Sequence, residues 1–397
     1  INFSKILANK YNFNKPIIFE KFGTAKLFIG SEEIEFVMPR KEYYDSISRN
    51  PSTQLASLEH DAFRRDFTIN ALFLRLSDMK ILDLTSDGLA DIRNKIIRVT
   101  DQSNSRIIFD QDPLRILRAV RQSLQLGFSI ESKTYNAMKV SAKRIKIVSH
   151  ERIRNELDKI LVEKKSSKAF IIMNEINLLA EILPEVARLK NLKQSLKYHA
   201  DDLFIHTLKV LDRTRNDIIL RMAALLHDIG KPIYKNDSDE ISFYRHGIES
   251  AKKAETILKK FRYSKEFVQK TISIIEKHVY PKMYSKNWTD SAIRRFVRRC
   301  DSELDLIMEI SKADFGKGRF DEKLIELSYR IKNLKSKNML YLKPELLSGS
   351  ELMTVFNKSA GKWIQTTKNK IEEMRIENPH LTKNEAIEAI KEKNVKN

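Results

Sequence analysis

The segment Asp61-Ala62-Phe63-Arg64-Arg65-Asp66-Phe67-Thr68-Ile69-Asn70-Ala71-Leu72 sets two guanidiniums and a carboxylate directly before an apolar run. Arginine forks suit phosphate oxygens bidentately, and an adjacent aspartate can accept from a ribose hydroxyl. A surface ion pair is the competing reading of these three charges taken alone. Upstream, Ala25–Ile29 and Ile34–Met38 are short apolar runs split by Gly30-Ser31-Glu32-Glu33, a pattern that predicts a hairpin. Downstream, Ala71–Leu76, Ile81–Leu84 and Ile96–Val99 predict further short strands, broken at Ser77-Asp78 and Asp87-Gly88. Within that stretch Gly88 permits a turn that other residues resist, and Asp91 can tie the turn to a nearby arginine. Residues 1–100 are the only part of the chain with strand character.

From about Asp112 the pattern turns helical. In Asp110-Gln111-Asp112-Pro113-Leu114-Arg115, Asp112 takes an N-cap place and Pro113 the first helical position. Asp112 and Arg115 then fall one turn apart on one face. A carboxylate acceptor beside a guanidinium donor can read the edge of a base; capping alone is the alternative. Arg115–Leu126 carries an apolar stripe of Ile116, Val120 and Leu124, with Arg115, Arg118 and Arg121 along the neighbouring face. Glu151–Leu161 repeats the design with Ile153, Leu157, Ile160 and Leu161. Asp217–Ile229 is apolar nearly all round and predicts a core helix stopped by Gly230 and Pro232. The expected fold class is α+β, a small mixed piece with a long all-α remainder.

Composition narrows the class. The 397 residues carry 73 Lys+Arg against 53 Asp+Glu, a formal net charge of +20, with 42% hydrophobic and 32% charged residues. That excludes a largely disordered or collagen-like chain. The single cysteine, Cys300, excludes a disulfide scaffold and a Cys-rich zinc cluster, and it suits a reducing cytoplasm. No run of roughly 18 uninterrupted apolar residues predicts a membrane span. The positive excess fits a polyanionic partner such as RNA, with a merely basic solvated surface as the plain alternative.

Taken in order, Arg64-Arg65-Asp66-Phe67-Thr68-Ile69-Asn70-Ala71-Leu72, Asp83…Gly88…Asp91, Asp112-Pro113-Leu114-Arg115-Ile116-Leu117-Arg118-Ala119-Val120-Arg121 and Glu151-Arg152-Ile153-Arg154-Asn155-Glu156-Leu157 closely resemble the bacterial-type (class II) tRNA nucleotidyltransferase family. That family includes CCA-adding enzymes and bacterial poly(A) polymerases. Phe22-Gly23-Thr24 and Ile34-Glu35-Phe36-Val37-Met38-Pro39-Arg40-Lys41-Glu42-Tyr43 look like its palm strand pair, and the likeness runs from about Phe22 to His278. The resemblance implies that Arg65 and Asp66 position the triphosphate and sugar, and that Asp112 and Arg115 pair with the base of ATP or CTP. It places Arg118 beside that site, with Arg64, Asn70 and Arg121 completing the nucleotide-binding set. Glu151, Arg152, Arg154 and Glu156 are expected to brace the neck helices, and Glu35 to be the third metal-associated carboxylate. The family's Gly-Gly…Arg-Asp and Asp-x-Asp elements, whose carboxylates hold catalytic Mg2+, are not found before Phe22. With Ile1 in first place, the reading expects upstream residues that supply them, so that the chain as written lacks nucleotidyl transfer and its parent has it.

A second constellation lies further along the chain. His206 precedes the apolar helix that closes on His227-Asp228-Ile229-Gly230-Lys231, and Asp314 comes later in Lys312-Ala313-Asp314. A His–Asp pair closing an apolar helix is costly to bury unpaired, and a divalent cation removes that cost. A lone histidine there is more often a satisfied core residue. The ordered set resembles the HD phosphohydrolase superfamily. By that resemblance His206, His227, Asp228 and Asp314 bind a divalent transition metal, while His246 and His278 serve a second metal or a substrate phosphate.

Arg294-Arg295, Arg298-Arg299 and the Lys-rich stretch from Lys332 to Lys343 are candidates for a track along tRNA phosphates, against a solvated charged face. Gly349–Met353 and a helix over Leu381–Ile390 end the chain. With both resemblances drawn, the α+β fold becomes a partial nucleotidyltransferase palm followed by a long all-α region that includes an HD domain. The expected domains are a palm over 1–110, a helical neck over 111–195, an HD domain over 196–325 and a helical tail over 326–397. The implied activity is template-free addition of C, C and A to the tRNA 3′ end from CTP and ATP, in the cytoplasm and away from membranes. The shared motifs leave A-adding, CC-adding and poly(A) synthesis open, and the oligomeric state as well. The rivals are a metal-dependent phosphohydrolase acting on nucleotides or cyclic phosphates, and a non-catalytic RNA-binding protein.

Overall fold

Helix α1 (Asn2–Lys10) leads into a three-stranded antiparallel sheet of β1 (Ile17–Phe19), β2 (Thr24–Ile29) and β3 (Glu32–Val37), ordered β1-β2-β3. The computed structural model describes residues 1–20, 23–43, 52–192, 202–231, 240–315, 319–340 and 345–395. Of the motif residues, Phe22, Pro232 and Lys343 lie outside the described residues. The expected hairpin is present but tighter than the sequence suggests. Ile29 pairs with Glu32, so the turn is Gly30-Ser31 and the two glutamates join the strand. Two further hairpins come next, β4 (Arg40–Tyr43) with β5 (Ser52–Leu55) and β6 (Leu72–Arg75) with β7 (Lys80–Asp83), separated by α2 (Leu58–Arg64).

Gly88 opens helix α3 (Gly88–Asn94) instead of bending a turn. Its requirement is space: a Cβ there would stand 2.7 Å from the Thr68 carbonyl oxygen and 2.9 Å from a Leu72 methyl. Asp91, on the same helix, does tie down an arginine, accepting from Arg98 Nε at 2.9 Å and from the Thr68 hydroxyl at 2.7 Å. β8 (Ile96–Ile97) pairs in parallel with β9 (Ser129–Ile130), so strand structure extends past residue 100. Its two residues are too short to show alternation.

Between these strands stand α4 (Ser105–Gln111) and α5 (Leu114–Leu126), and after them α6 (Ser132–Ser141), α7 (His150–Leu161), α8 (Ser167–Glu175), α9 (Leu178–Ile182) and α10 (Pro184–Ala187). α5 begins one residue later than the sequence implies. Pro113 is its N-cap, and Asp112 ends α4 while its Oδ1 still accepts from the Leu114 amide at 3.2 Å. Gly127 stops α5 in the left-handed region at φ 67°, where a side chain would be strained. The stripe Ile116, Leu117, Ala119 and Val120 is buried against α7, which contributes Ile153, Leu157, Ile160 and Leu161, and against Phe170 of α8. Each large aliphatic side chain of this set contributes about 1.5–3 kcal/mol on burial.

The chain divides into two compact units, Ile1–Ala187 and Arg188–Asn397. The second is helical throughout its described residues: α11 (Leu203–Arg213), α12 (Ile218–Leu226), α13 (Glu240–Lys260), α14 (Lys265–Lys277), α15 (Asp290–Cys300), α16 (Leu304–Phe315), α17 (Arg319–Ser336), α18 (Gly349–Phe356), α19 (Lys362–Glu377) and α20 (Lys383–Val395). α12 ends at Leu226, three residues short of expectation, with His227 as its C-cap. α11, α12, α14 and α16 pack together around Leu208, Leu211, Leu225, Ile274 and Ile307. A separate small core of Leu347, Leu352, Ile371, Ala386 and Ile390 binds α18, α19 and α20.

Three arginines of α15 pair within the protein. Arg294 is buried and donates to the Ile376 carbonyl at 2.6 Å, Arg295 pairs with Glu377, and Arg298 pairs with Glu373 at 3.0 Å. They fasten α15 to α19. No helix among the described residues is long and apolar enough to cross a membrane.

Candidate functional site

In the first unit, α5 is the element on which the predicted nucleotide residues meet. Asp66 is buried, and its Oδ2 accepts from Arg118 Nε at 2.7 Å and Nη2 at 2.6 Å. Its Oδ1 accepts from Asn70 Nδ2 at 3.0 Å, and that amide also reaches Gln122 Oε1 at 3.1 Å. Arg115 is buried as well, donating to the carbonyls of Arg64 at 2.6 Å and Ile108 at 3.3 Å. Arg115, Arg118 and Gln122, spaced along one helical face, thus clamp the segment from Arg64 to Asn70.

Arg64 and Arg65 share one carboxylate. Asp61 Oδ1 takes Arg64 Nη2 at 2.6 Å, and Asp61 Oδ2 takes Arg65 Nη2 at 3.2 Å. Arg65 also donates to the Asn70 carbonyl at 2.9 Å and stacks 4.7 Å from the Phe73 ring centre. Thr100 completes the clamp, donating to the carbonyls of Phe63 and Arg65. Arg64 and Arg115 line a cavity of about 280 Å3 between α2 and α4, along with Phe63, Ile108 and Gln111.

Other predicted residues go elsewhere. Asp112 does not bond to the Arg115 side chain; its Oδ2 accepts from Arg152 Nη2 of α7 at 2.8 Å. Arg121, placed with the nucleotide set from sequence, turns to α7 and donates to buried Glu156 at 2.6 Å. Its reason is helical phase, which sets Arg121 on the stripe beside that of Arg118. Glu151 and Arg154 lie on α7 with Arg152 and Glu156, and Arg154 reaches the Asn155 side chain at 3.3 Å. Glu35 stands exposed on β3, across the ladder from Lys26. Among the described residues it belongs to no cluster that could hold a metal.

In the second unit the predicted histidines and aspartates converge. His206 comes from α11, His227 and Asp228 from the end of α12, His246 from α13, His278 from the end of α14, and Asp314 from α16. All six are buried. His206 Nε2 lies 2.9 Å from Asp314 Oδ1 and 3.7 Å from Asp228 Oδ2. His227 Nε2 lies 3.2 Å from Asp228 Oδ2, and His246 Nε2 lies 3.5 Å from Asp228 Oδ1 and 3.3 Å from His278 Nε2. Two of the rings are aimed by their other nitrogen: His227 Nδ1 meets the Ala224 carbonyl at 2.8 Å, and His278 Nδ1 meets that of Ile275 at 2.5 Å. A backbone carbonyl on Nδ1 takes that N–H and turns Nε2 inward, the orientation of a metal-ligating imidazole once Nε2 has given up any proton it carries.

Electrostatics agree with a cation place. Burial alone pushes the His227 imidazole down, but the Asp228 and Asp314 carboxylates outweigh it and hold it at about 9. Burial, then the charges of His227 and Lys282, push His278 down to about 3. Burial raises both carboxyls, yet His227 and Lys231 beside Asp228, and Lys282 beside Asp314, hold them well below the usual range. His227 Nε2 and Asp228 Oδ1 are fully buried with no hydrogen-bond partner. Unsatisfied buried polar atoms of this kind are costly, and a shared divalent cation satisfies both. Among the described residues, three overlapping groups could hold one: His206, His227 and Asp228; His227, His278 and Asp314; Asp228, His246 and His278. The donor set fits a divalent metal.

Sequence reasoning misses Asp61, Thr100, Gln122 and Lys282. Asp61 stands three and four residues before the arginines it holds, a legible helical spacing. Gln122 meets Asn70 across 52 residues, and Lys282 meets Asp314 across 32, with no local signal for either.

An arginine-lined nucleotidyltransferase head on a helical spine, with an HD cluster in a second helical unit, defines the class of protein. The poly A polymerase head domain matches residues 2–98, the probable RNA- and SrmB-binding site of polymerase A matches 127–190, and the HD domain matches 196–313. The A-adding tRNA nucleotidyltransferase of Deinococcus radiodurans is 29% identical over 324 residues, 77% of this chain and 72% of that protein. The CCA-adding enzyme of Lactobacillus helveticus is 38% identical over 176 residues, 44% of this chain and 43% of that protein. The chain therefore spans less than half of some of the relatives it matches. The crystal structure of the Bacillus stearothermophilus CCA-adding enzyme in complex with CTP superposes with a TM-score of 0.66 at 21% identity, covering 97% of this chain and 85% of that one, a likeness of fold. The head, RNA-binding and HD matches, taken with these relatives, support a member of the bacterial CCA-adding enzyme family.

Proposed function

We propose that the protein adds C, C and A to the 3′ end of tRNA from CTP and ATP without a nucleic-acid template, in the cytoplasm. The observation that carries this reading is the convergence of Asp66, Asn70, Arg115 and Arg118 on one face of α5. In it, Arg65 and Asp66 orient triphosphate and sugar, and Asp112 and Arg115 select the base. Base selection requires Asp112 to leave Arg152 and Arg115 to turn from backbone carbonyls toward the nucleotide. Arg121, Glu156 and Arg152 hold α5 against α7, so that the selecting pair keeps its place. The net charge of +20 favours a polyanion such as tRNA. Primer extension tests the reading, using tRNA lacking its last three nucleotides and protein expressed from its natural reading frame, with the products sequenced. C, C and A in order are expected; a lone A, a pair of C residues, a poly(A) tail or no incorporation overturns it.

A second activity is supported by the orphaned His227 Nε2 and Asp228 Oδ1. We infer that the HD cluster binds a divalent transition metal and hydrolyses phosphoesters. A cation held by His206, His227, Asp228 and Asp314 would supply Lewis acidity toward a phosphoryl oxygen. His246 and His278 face it from the other side and bind a second cation or the phosphate itself. Turnover of 2′,3′-cyclic nucleotides by the metal-loaded protein tests this, and its absence with nickel, manganese and cobalt alike overturns it.

A further inference from the structure

We propose that Lys282 is a stand-in cation: it occupies the HD cluster while no metal is there, and it holds the ligand's phosphoryl group once metal takes the carboxylates. The proposal rests on reading that cluster as a metal centre. Lys282 Nζ donates to Asp314 Oδ2, and Lys231 Nζ sits 2.7 Å from Asp228 Oδ2. These are the two carboxylates on which the histidines converge, and Asp228 Oδ2 is the oxygen 3.2 Å from His227 Nε2. A metal that takes either carboxylate therefore competes with an ammonium already seated on it.

The charge balance sets which ligand the loaded cluster attracts. The two ammoniums balance the two carboxylates, and the His227 imidazolium adds one positive charge that a metal ligated there displaces as a proton. One dication added to these four groups leaves an excess of two positive charges, which a phosphate monoester dianion matches. The lysines stand where that anion must enter. The Lys231 side chain is 23% exposed and that of Lys282 is 8% exposed, whereas Asp228 and His227 are fully covered. Lys282 also has a second seat for its charge, with Nζ 4.5 Å from the Phe315 ring centre, so leaving Asp314 does not strand it.

The test is calorimetric titration of the full chain, stripped of metal, first with Mn2+ alone and then, once Mn2+-loaded, with inorganic phosphate. Lys282→Met should bind Mn2+ tighter by about tenfold or more, because a competing and repelling charge is gone, and should bind phosphate weaker by a similar factor. Lys282→Arg should keep both affinities near the parent values. Lys282→Gln retains a donor to Asp314 and should repeat the two opposite shifts even if the methionine variant folds poorly. Weakening of both ligands would make Lys282 structural and overturn the proposal, as would no change in either. A parent chain that binds no Mn2+ refutes the metal centre itself, a different result from a parent that binds it and a variant that does not differ.

Discussion

Arg121 is the residue whose role the structure changes most, and removing its partner tests the change. Glu156 is 5% exposed and accepts from Arg121 Nε at 2.6 Å, while Arg121 Nη1 reaches Gln125 at 2.6 Å. Deleting one member of a buried ion pair strands the other charge, at about 3–5 kcal/mol. Arg121 keeps Gln125 and its side chain is 13% exposed, so the lower end applies: Glu156→Leu should cost about 3 kcal/mol. For a unit of this size, one kcal/mol moves the midpoint by about 2–4 °C, so calorimetry should record a fall of about 6–12 °C in the transition of the Ile1–Ala187 unit. Arg121→Leu should cost about as much, and the double variant should recover to within about 1 kcal/mol of the parent, since an apolar pair replaces a buried ionic one at little cost. Nucleotide affinity should follow stability and return in the double variant. A double variant that regains its midpoint but binds neither CTP nor ATP would put Arg121 back on the nucleotide. Single variants that shift the midpoint by less than about 2 °C would refute the brace as well.

Arg115→Ala should blunt the choice of CTP and ATP over GTP and UTP more than it lowers triphosphate affinity, as measured by equilibrium binding of all four; an equal loss for each removes the base-reading role. Affinity for tRNA should fall steeply with salt, each neutralised duplex phosphate contributing a log–log slope of about −0.9, and a flat affinity between low and physiological salt would contradict an electrostatic contact. His227→Ala combined with Asp228→Ala should abolish metal retained after loading with nickel, manganese or cobalt. Elemental analysis finding less than about a tenth of an equivalent on the parent chain would reduce the cluster to scaffolding.

Local features are the legible ones in this sequence. The clamp residues Asp66 and Asn70 and the arginines of α5 are near one another or evenly spaced, and their helices follow from apolar stripes at three and four. The His–Asp cluster is legible for a different reason, because charged groups at the end of an apolar helix are costly without a partner. The misreadings share a cause as well. Arg294 reads as basic surface, yet its guanidinium is buried against the Ile376 carbonyl, 82 residues away. The Arg152 partner of Asp112, 40 residues on, carries no local signal either. A charge whose counter-ion is distant in sequence looks solvated until the fold supplies that counter-ion. β8 falls within the strand expected over Ile96–Val99, whereas β9 is missed because a two-residue strand carries no periodicity.

The same distinction explains how α5 holds both the head segment and α7. Arg115, Arg118 and Gln122 stand three and four residues apart and hold the head segment, whereas Arg121 and Gln125 stand on the adjoining stripe and hold α7. Glu163, beyond the end of α7, extends that second line by accepting from Gln125 at 2.8 Å. Because both stripes belong to one helix, the helix cannot rotate without breaking charge pairs on both sides. The Asp66–Arg118 and Glu156–Arg121 pairs are short and mostly shielded from water, so the cost is that of stranding buried charge and exceeds that of a surface contact. Discrimination between bases needs a reading residue held to within a fraction of an ångström, and such precision comes from supports that are locked themselves. The arginines of α5 are therefore not one set with one task. Their phase along the helix divides them into those that hold the head segment and those that hold α7.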